Sequence, residues 1–215
     1  MVVGETKPKE GWMFNNPMER VLENVGLDAS PARVSREISR CAQSDHLGTY
    51  GWGWLDLMNA EGDLRTRSYF GNLITTVGDE YYARRGANVS PGTVPTGMRV
   101  GTGSTGVAKS GAGSAIVTYE GSKDASQPMD GSFPTVAAIG TDVGWRITWK
   151  VTWALAEGNL ASPIAECVVT NEAGPTDVAG TAANTISRAL VSPTVTKTGA
   201  DTLAITWQHD FYDAP

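Results

Sequence analysis

Apolar and polar positions alternate with period two along much of the chain, and over residues 143–155 they do so without a break. Val143, Trp145, Ile147, Trp149, Val151, Trp153 and Leu155 fill the odd positions, and Gly144, Arg146, Thr148, Lys150, Thr152 and Ala154 the even ones. A helical period of 3.6 would scatter these side chains around the axis, so the segment predicts a long strand with one buried and one wet face. Residues 201–211 repeat the pattern, with Leu203, Ile205, Trp207, His209 and Phe211 as the inward set. Tyr50, Trp52 and Trp54 share one face of another strand, a turn follows at 59–62, and 64–70 returns as the second arm of a hairpin. Residues 98–100, 115–119, 164–170 and 185–191 bring the expected total to about seven or eight strands.

Residues 1–49 have a different texture. Positions 18–25 read as a short helix stopped by Gly26, and Ser30 caps a second helix with Pro31 at its first position. Neither has enough apolar surface to stand alone, which predicts an arm that docks on something else. A further short helix is expected in the second half of 72–85, where Leu73, Val77 and Tyr81 lie about a turn apart, and a loop over 87–97, with Pro91 and Pro95. The fold expected is mainly β: an antiparallel β-sandwich, jelly-roll or immunoglobulin-like, over 50–215, with an extended or helical N-terminal arm over 1–49.

Composition supports this and narrows the function. With 25 Gly and 11 Pro the chain suits short strands and many turns. A net charge of −6 and the absence of a polybasic run give no footprint for nucleic acid. No apolar stretch approaches the ~20 residues of a membrane-spanning helix. The polar first ten residues lack the apolar core of a Sec signal, so assembly in the cytoplasm is expected. Cys41 and Cys167 are far apart and without metal-ligand spacing, compatible with a disulfide or with two reduced thiols.

Candidate chemistry is sparse. Gly101-Thr-Gly-Ser-Thr-Gly106 matches the dinucleotide-loop spacing and follows a plausible strand, but no helix follows to present its N-terminus to a pyrophosphate. The expectation there is a flexible turn. His46 and His209 are the only histidines; His209 reads as a hydrogen-bonded core or interface group, and neither has a nearby second histidine for a metal pair. No serine sits in a nucleophile-elbow motif. Asp56, Glu61, Glu166, Asp201 and Asp210 are read as solvated strand or turn residues. No cofactor, metal or catalytic residue is predicted. Tyr50, Trp52 and Trp54 cluster at the arm boundary and, with Trp12 of the arm, are the candidate assembly interface; exposed Trp faces there would also suit a carbohydrate.

Several segments occur together in a familiar order: Gly71-Asn-Leu-Ile-Thr-Thr-Val-Gly-Asp-Glu-Tyr-Tyr-Ala83, Met98-Arg-Val-Gly-Thr-Gly-Ser-Thr-Gly-Val-Ala108, Thr170-Asn-Glu-Ala-Gly174, Asn184-Thr-Ile-Ser-Arg-Ala-Leu190 and Lys197-Thr-Gly-Ala-Asp-Thr-Leu-Ala-Ile-Thr-Trp207. Over roughly residues 60–212 the chain resembles small structural proteins of tailed bacteriophages, of tail-fibre, neck or appendage type. The resemblance implies a virion component, non-enzymatic and without cofactors. Its partners would be copies of itself, in a ring or trimer, and portal, tail or capsid proteins. Capsid decoration, or a carbohydrate- or receptor-binding module, is the alternative.

Overall fold

Alternation becomes a strand wherever both faces of the segment find cover, and most of the expected strands do. The computed structural model describes residues 17–26, 28–44, 49–90, 92–140, 144–171 and 182–212. Helices α1 (Pro17–Val25) and α2 (Pro31–Ser44) lead into the hairpin β1 (Thr49–Met58) and β2 (Leu64–Ile74), then helix α3 (Thr76–Ala87). There follow β3 (Gly97–Gly101), β4 (Ser126–Pro128), β5 (Thr135–Gly140), β6 (Gly144–Trp153), β7 (Ile164–Thr170), β8 (Thr185–Val195) and β9 (Thr202–Tyr212). Gly26, with φ of +88°, ends α1 as a left-handed stop, and the Ser30 carbonyl accepts the first bond of α2 from Val34 N.

The nine strands form one antiparallel sheet, in the order β4-β3-β7-β8-β2-β1-β9-β6-β5, curled into a half-barrel. The sequence led us to expect two facing sheets. Hydrogen bonding instead runs on through β2, whose first part pairs with β1 and whose last residues, Asn72 to Ile74, pair with Ala189 to Ser187 of β8. Three residue pairs thus stitch the place where a sandwich would be cut. Curling lets strands from both halves share one interior, filled by Leu55, Phe70, Met98, Val100, Trp149, Val151, Trp153, Ile164, Cys167, Ile186, Leu203, Ile205 and Trp207. Burying each of these large side chains contributes roughly 1.5–3 kcal/mol against the entropy of ordering it.

Gly51 and Gly53 alternate with the aromatic residues of β1 for a steric reason. A Cβ on Gly53 would stand 2.7 Å from the Phe70 ring, and one on Gly51 would stand 2.0 Å from the Asn72 amide. Their bare backbone makes room for Phe70 and Asn72, while Tyr50, Trp52 and Trp54 point the other way.

The opposite face of β1, β2 and β9 carries a second core. Met18, Val21, Val25, Val34 and Ile38 of the two N-terminal helices, with Ala29 between them, cover Tyr50, Trp52, Tyr69 and Tyr212. The helices expected to dock elsewhere therefore pack on their own sheet. Tyr50 and Trp52 are buried within the chain, not offered at its surface; Trp12 lies outside the described residues.

Other expectations need correction. Residues 115–119 form no strand, because the N–H groups of Val117 and Thr118 go to a carboxylate and not to a neighbouring strand. In β6 the inward set is buried only at Trp149, Val151 and Trp153. Trp145, beside the edge strand β5, and Leu155, past the strand end, are 57% and 42% exposed. Strands β4 and β5 lacked a visible alternation and were not anticipated. Cys167 is an unbonded thiol sealed in the core, its pKa pushed up by burial.

Candidate functional site

Three buried polar clusters organise the sheet, and one opens to solvent. The first is built on β7 and β8. Glu166 and Arg188 are both fully buried and form an ion pair, with Nη2 donating to Oε2 at 2.7 Å. Glu166 also accepts from the backbone N–H groups of Gly103, Val117 and Thr118 at 2.8–3.0 Å, and Arg188 donates to the carbonyls of Thr105 and Gly113. The glycine motif thereby receives its explanation. A Cβ on Gly103 would lie 2.4 Å from Glu166 Oε1, so the backbone approaches as it would a phosphate, but the anion is the chain's own. The segment is a pinned loop, not a flexible turn, and Glu166 is no solvated residue.

The second cluster joins α3 to the interior. His209 is fully buried, with Tyr82 Oη 2.5 Å from Nδ1 and the Asn72 amide 3.0 Å from Nε2. With Asn72 turned to satisfy every neighbour, its Nδ2 donates to His209 and Ser187, and its Oδ1 accepts from Trp207 Nε1 and from Trp52 N. Nε2 then accepts, and Nδ1 carries the proton and donates to Tyr82. Burial holds the pKa of His209 down to about 3, so the ring is neutral. This is the hydrogen-bonded core group that the sequence suggested. It has no solvent path for acid–base work, and its neighbours are amide, hydroxyl and indole groups. His46 lies outside the described residues.

The third cluster lies on the helical face. Asp210, fully buried, takes a bidentate pair from Arg146, Nε at 2.5 Å and Nη2 at 2.6 Å, and accepts from Trp52 Nε1 and Tyr212 Oη, both at 3.0 Å. Asp210 and Arg146 face each other directly across β9 and β6, and the guanidinium also lies 5.3 Å over the Trp52 ring. Asp210 too was expected in solvent. What overturns that reading is α1 and α2, which cover the even face of β9. Asp201 is likewise buried, bonded to Thr198 and Arg65, which lower its pKa. Asp56 is half-buried and paired with Arg67, while Glu61 is exposed, as expected.

Beside this third cluster a groove of about 420 Å³ opens between the first turns of α2 and the sheet. Pro31, Ala32, Ser35 and Arg36 form one wall; Trp52, Trp54, Arg146 and Gln208 form the floor. Trp54 is half-buried, its ring 5.5 Å from that of Trp52, and its Nε1 is held by Asp56. Gln208 is 8% exposed; its amide Nε2 donates to Thr148, and its carbonyl oxygen has no partner. Leaving such a group unpaired costs about 1–3 kcal/mol. Of the sequence-predicted residues, then, only Trp52 and Trp54 meet in one place. Arg146, Gln208 and Asp210 were missed, although their even positions on two adjacent strands could have placed them on one face together.

Replacing Asp210 with asparagine is expected to destabilise the chain by about 2 kcal/mol, because a neutral amide loses the charge-assisted bonds and turns an N–H₂ towards donors. Urea unfolding measures it; a loss below about 0.5 kcal/mol would mean the buried carboxylate does little to hold β1, β6 and β9 together.

Among the described residues no group of three or more His, Cys, Asp or Glu side chains is set to hold a metal, and no helix is long and apolar enough to cross a membrane. Comparison with protein-family models, with curated proteins and with solved structures finds no match.

Proposed function

We propose that the chain is a structural protein of a tailed-phage virion, of tail, neck or fibre-attachment type, that works by assembling with copies of itself and with portal, tail or capsid proteins. The carrying observation is the inequality of the two sheet edges. One edge, β4, has three residues and ends in Pro128, which blunts it against further pairing. The other, β5, is Thr-Val-Ala-Ala-Ile-Gly, uncharged and exposed along nearly its whole length. Val136, 64% exposed, pairs with Ile147, and Ala138 pairs with Trp145, so an apolar strip lies beside an open row of backbone donors and acceptors. Chains that stay monomeric usually protect such an edge with charge, proline or a covering loop.

The ordered motifs that resemble those of phage structural proteins supply the virion context. In this reading the two halves of the curl serve as the facing layers of a sandwich, and residues 1–49 as its arm. In a rotationally symmetric ring or trimer, each β5 would meet a different surface on the next copy. A capsid-decoration role belongs to the same class of function.

Light-scattering mass tests the assembly. The wild-type chain is expected at a defined multiple of 22.7 kDa. Val136→Lys is expected at single-chain mass with unchanged circular dichroism, since a charge on the strip opposes docking while the side chain is mostly exposed within the chain. A wild-type monomer that the substitution leaves unaltered would overturn the proposal. Immunogold labelling tests the virion assignment separately: label is expected on tailed particles, and label confined to debris would refute it.

A further inference from the structure

The groove between α2 and the sheet has features that assembly does not explain. Its floor and wall hold two arginines and no carboxylate, in a chain of net charge −6. Arg146 spends Nε and Nη2 on Asp210, and its Nη1 has no acceptor among the described residues. Arg36, exposed on α2, makes no ion pair among the described residues. Gln208, more than nine-tenths buried in the floor, has a carbonyl oxygen without a donor. Trp54 contributes a half-exposed indole beside these groups, its orientation fixed by the bond to Asp56.

We infer that this groove is a binding site for an acidic saccharide. Each group asks for a different part of the same ligand. The indole takes the apolar C–H face of a pyranose ring, which needs a flat, rigid platform. The unpaired carbonyl asks for a donor, and a sugar hydroxyl supplies one once the buried Gln208 amide turns towards the groove. The Arg36 guanidinium suits a carboxylate, which its planar fork can bind in a fixed geometry, and Arg146, its other nitrogens held by Asp210, has Nη1 to add as one more donor. A nucleic-acid strand also brings anions and flat rings, but it needs a basic track longer than two arginines, and the chain as a whole repels it. A shallow groove with one aromatic platform fits a single sugar unit or the end of a chain.

The test uses the full chain, with tryptophan fluorescence and calorimetric titration. The probe is a tetrasaccharide alternating glucuronate and N-acetylglucosamine, against a neutral tetrasaccharide of N-acetylglucosamine. Saturable binding of the acidic sugar is expected, about tenfold tighter than the neutral one, as one charge-assisted contact would give. Arg36→Ala, on an exposed helix face, and Trp54→Ala should each weaken it by about tenfold, with circular dichroism unchanged. Equal binding of both sugars would remove the acidic assignment, and no saturable binding, or binding indifferent to Arg36→Ala, would overturn the site. The outcome is independent of the oligomeric state: Val136→Lys leaves the groove intact, and its titration should match that of the wild type.

Discussion

Glu166→Ala is expected to cost about 3–5 kcal/mol, the range for stranding one member of a buried ion pair. The loss has two parts. Arg188 stays fully buried with its charge uncompensated, and the N–H groups of Gly103, Val117 and Thr118 lose their shared acceptor. Against a total stability of about 5–15 kcal/mol for a domain, this is a large share. Replacing both partners with apolar residues often recovers the cost of a simple ion pair. Here it should not, because the three N–H donors and the carbonyls of Thr105 and Gly113 would still be orphaned. Urea unfolding of Glu166→Ala, Arg188→Met and the double variant measures this. A double variant as stable as the wild type would show that the loop between β3 and β4 finds other partners.

Acid should destabilise the fold well before the carboxylates titrate, and His209 is the reason. Its pKa is about 3 in the folded chain against 6.5 when unfolded. Below pH 6.5 the unfolded chain binds a proton that the folded one refuses, so stability falls as pH drops, by up to about 1.4 kcal/mol per unit, and flattens near pH 3. The full span is on the order of 5 kcal/mol. Asp201, whose folded pKa is lowered, adds a separate loss that begins only as pH falls through its unfolded value of 3.8. Unfolding free energies between pH 7 and 4 for the wild type and for His209→Gln check the assignment. The variant should show a much shallower slope, and parallel slopes would place the acid sensitivity elsewhere.

What was readable in the sequence was what alternates. Strands β1, β6, β7, β8 and β9, the turn at 59–62, and the helices with their glycine and proline punctuation followed from residue pattern alone. What escaped was whatever depended on a partner distant in the chain. The strand expected at 115–119 has the composition of a strand, but its donors are claimed by Glu166, about 50 positions away. Asp210 and Glu166 look like solvent-face residues until α1, α2 and the pinned loop are laid over them. The division into two sheets could not be decided, because three residue pairs at the end of β2 make the difference between a cut and a continuous curl. At the groove, the aromatic half was legible in Trp52 and Trp54. The polar half was not, since Arg146 and Gln208 become neighbours only through the pairing of β6 with β9.

The two cores meet on opposite sides of β9, and the contrast is sharpest at adjacent residues. His209 faces a neutral amide-and-hydroxyl network, and Asp210 faces a guanidinium. A one-residue slip of β9 against β1 and β6 would exchange their faces, putting a carboxylate among the Asn72, Ser187 and Tyr82 groups and an imidazole against Arg146. Both errors are costly, so β9 has only one workable register, enforced chemically from each side rather than by hydrophobic fit alone. Such a strand acts as a ruler for the sheet: length can be added in the loops, but not within it.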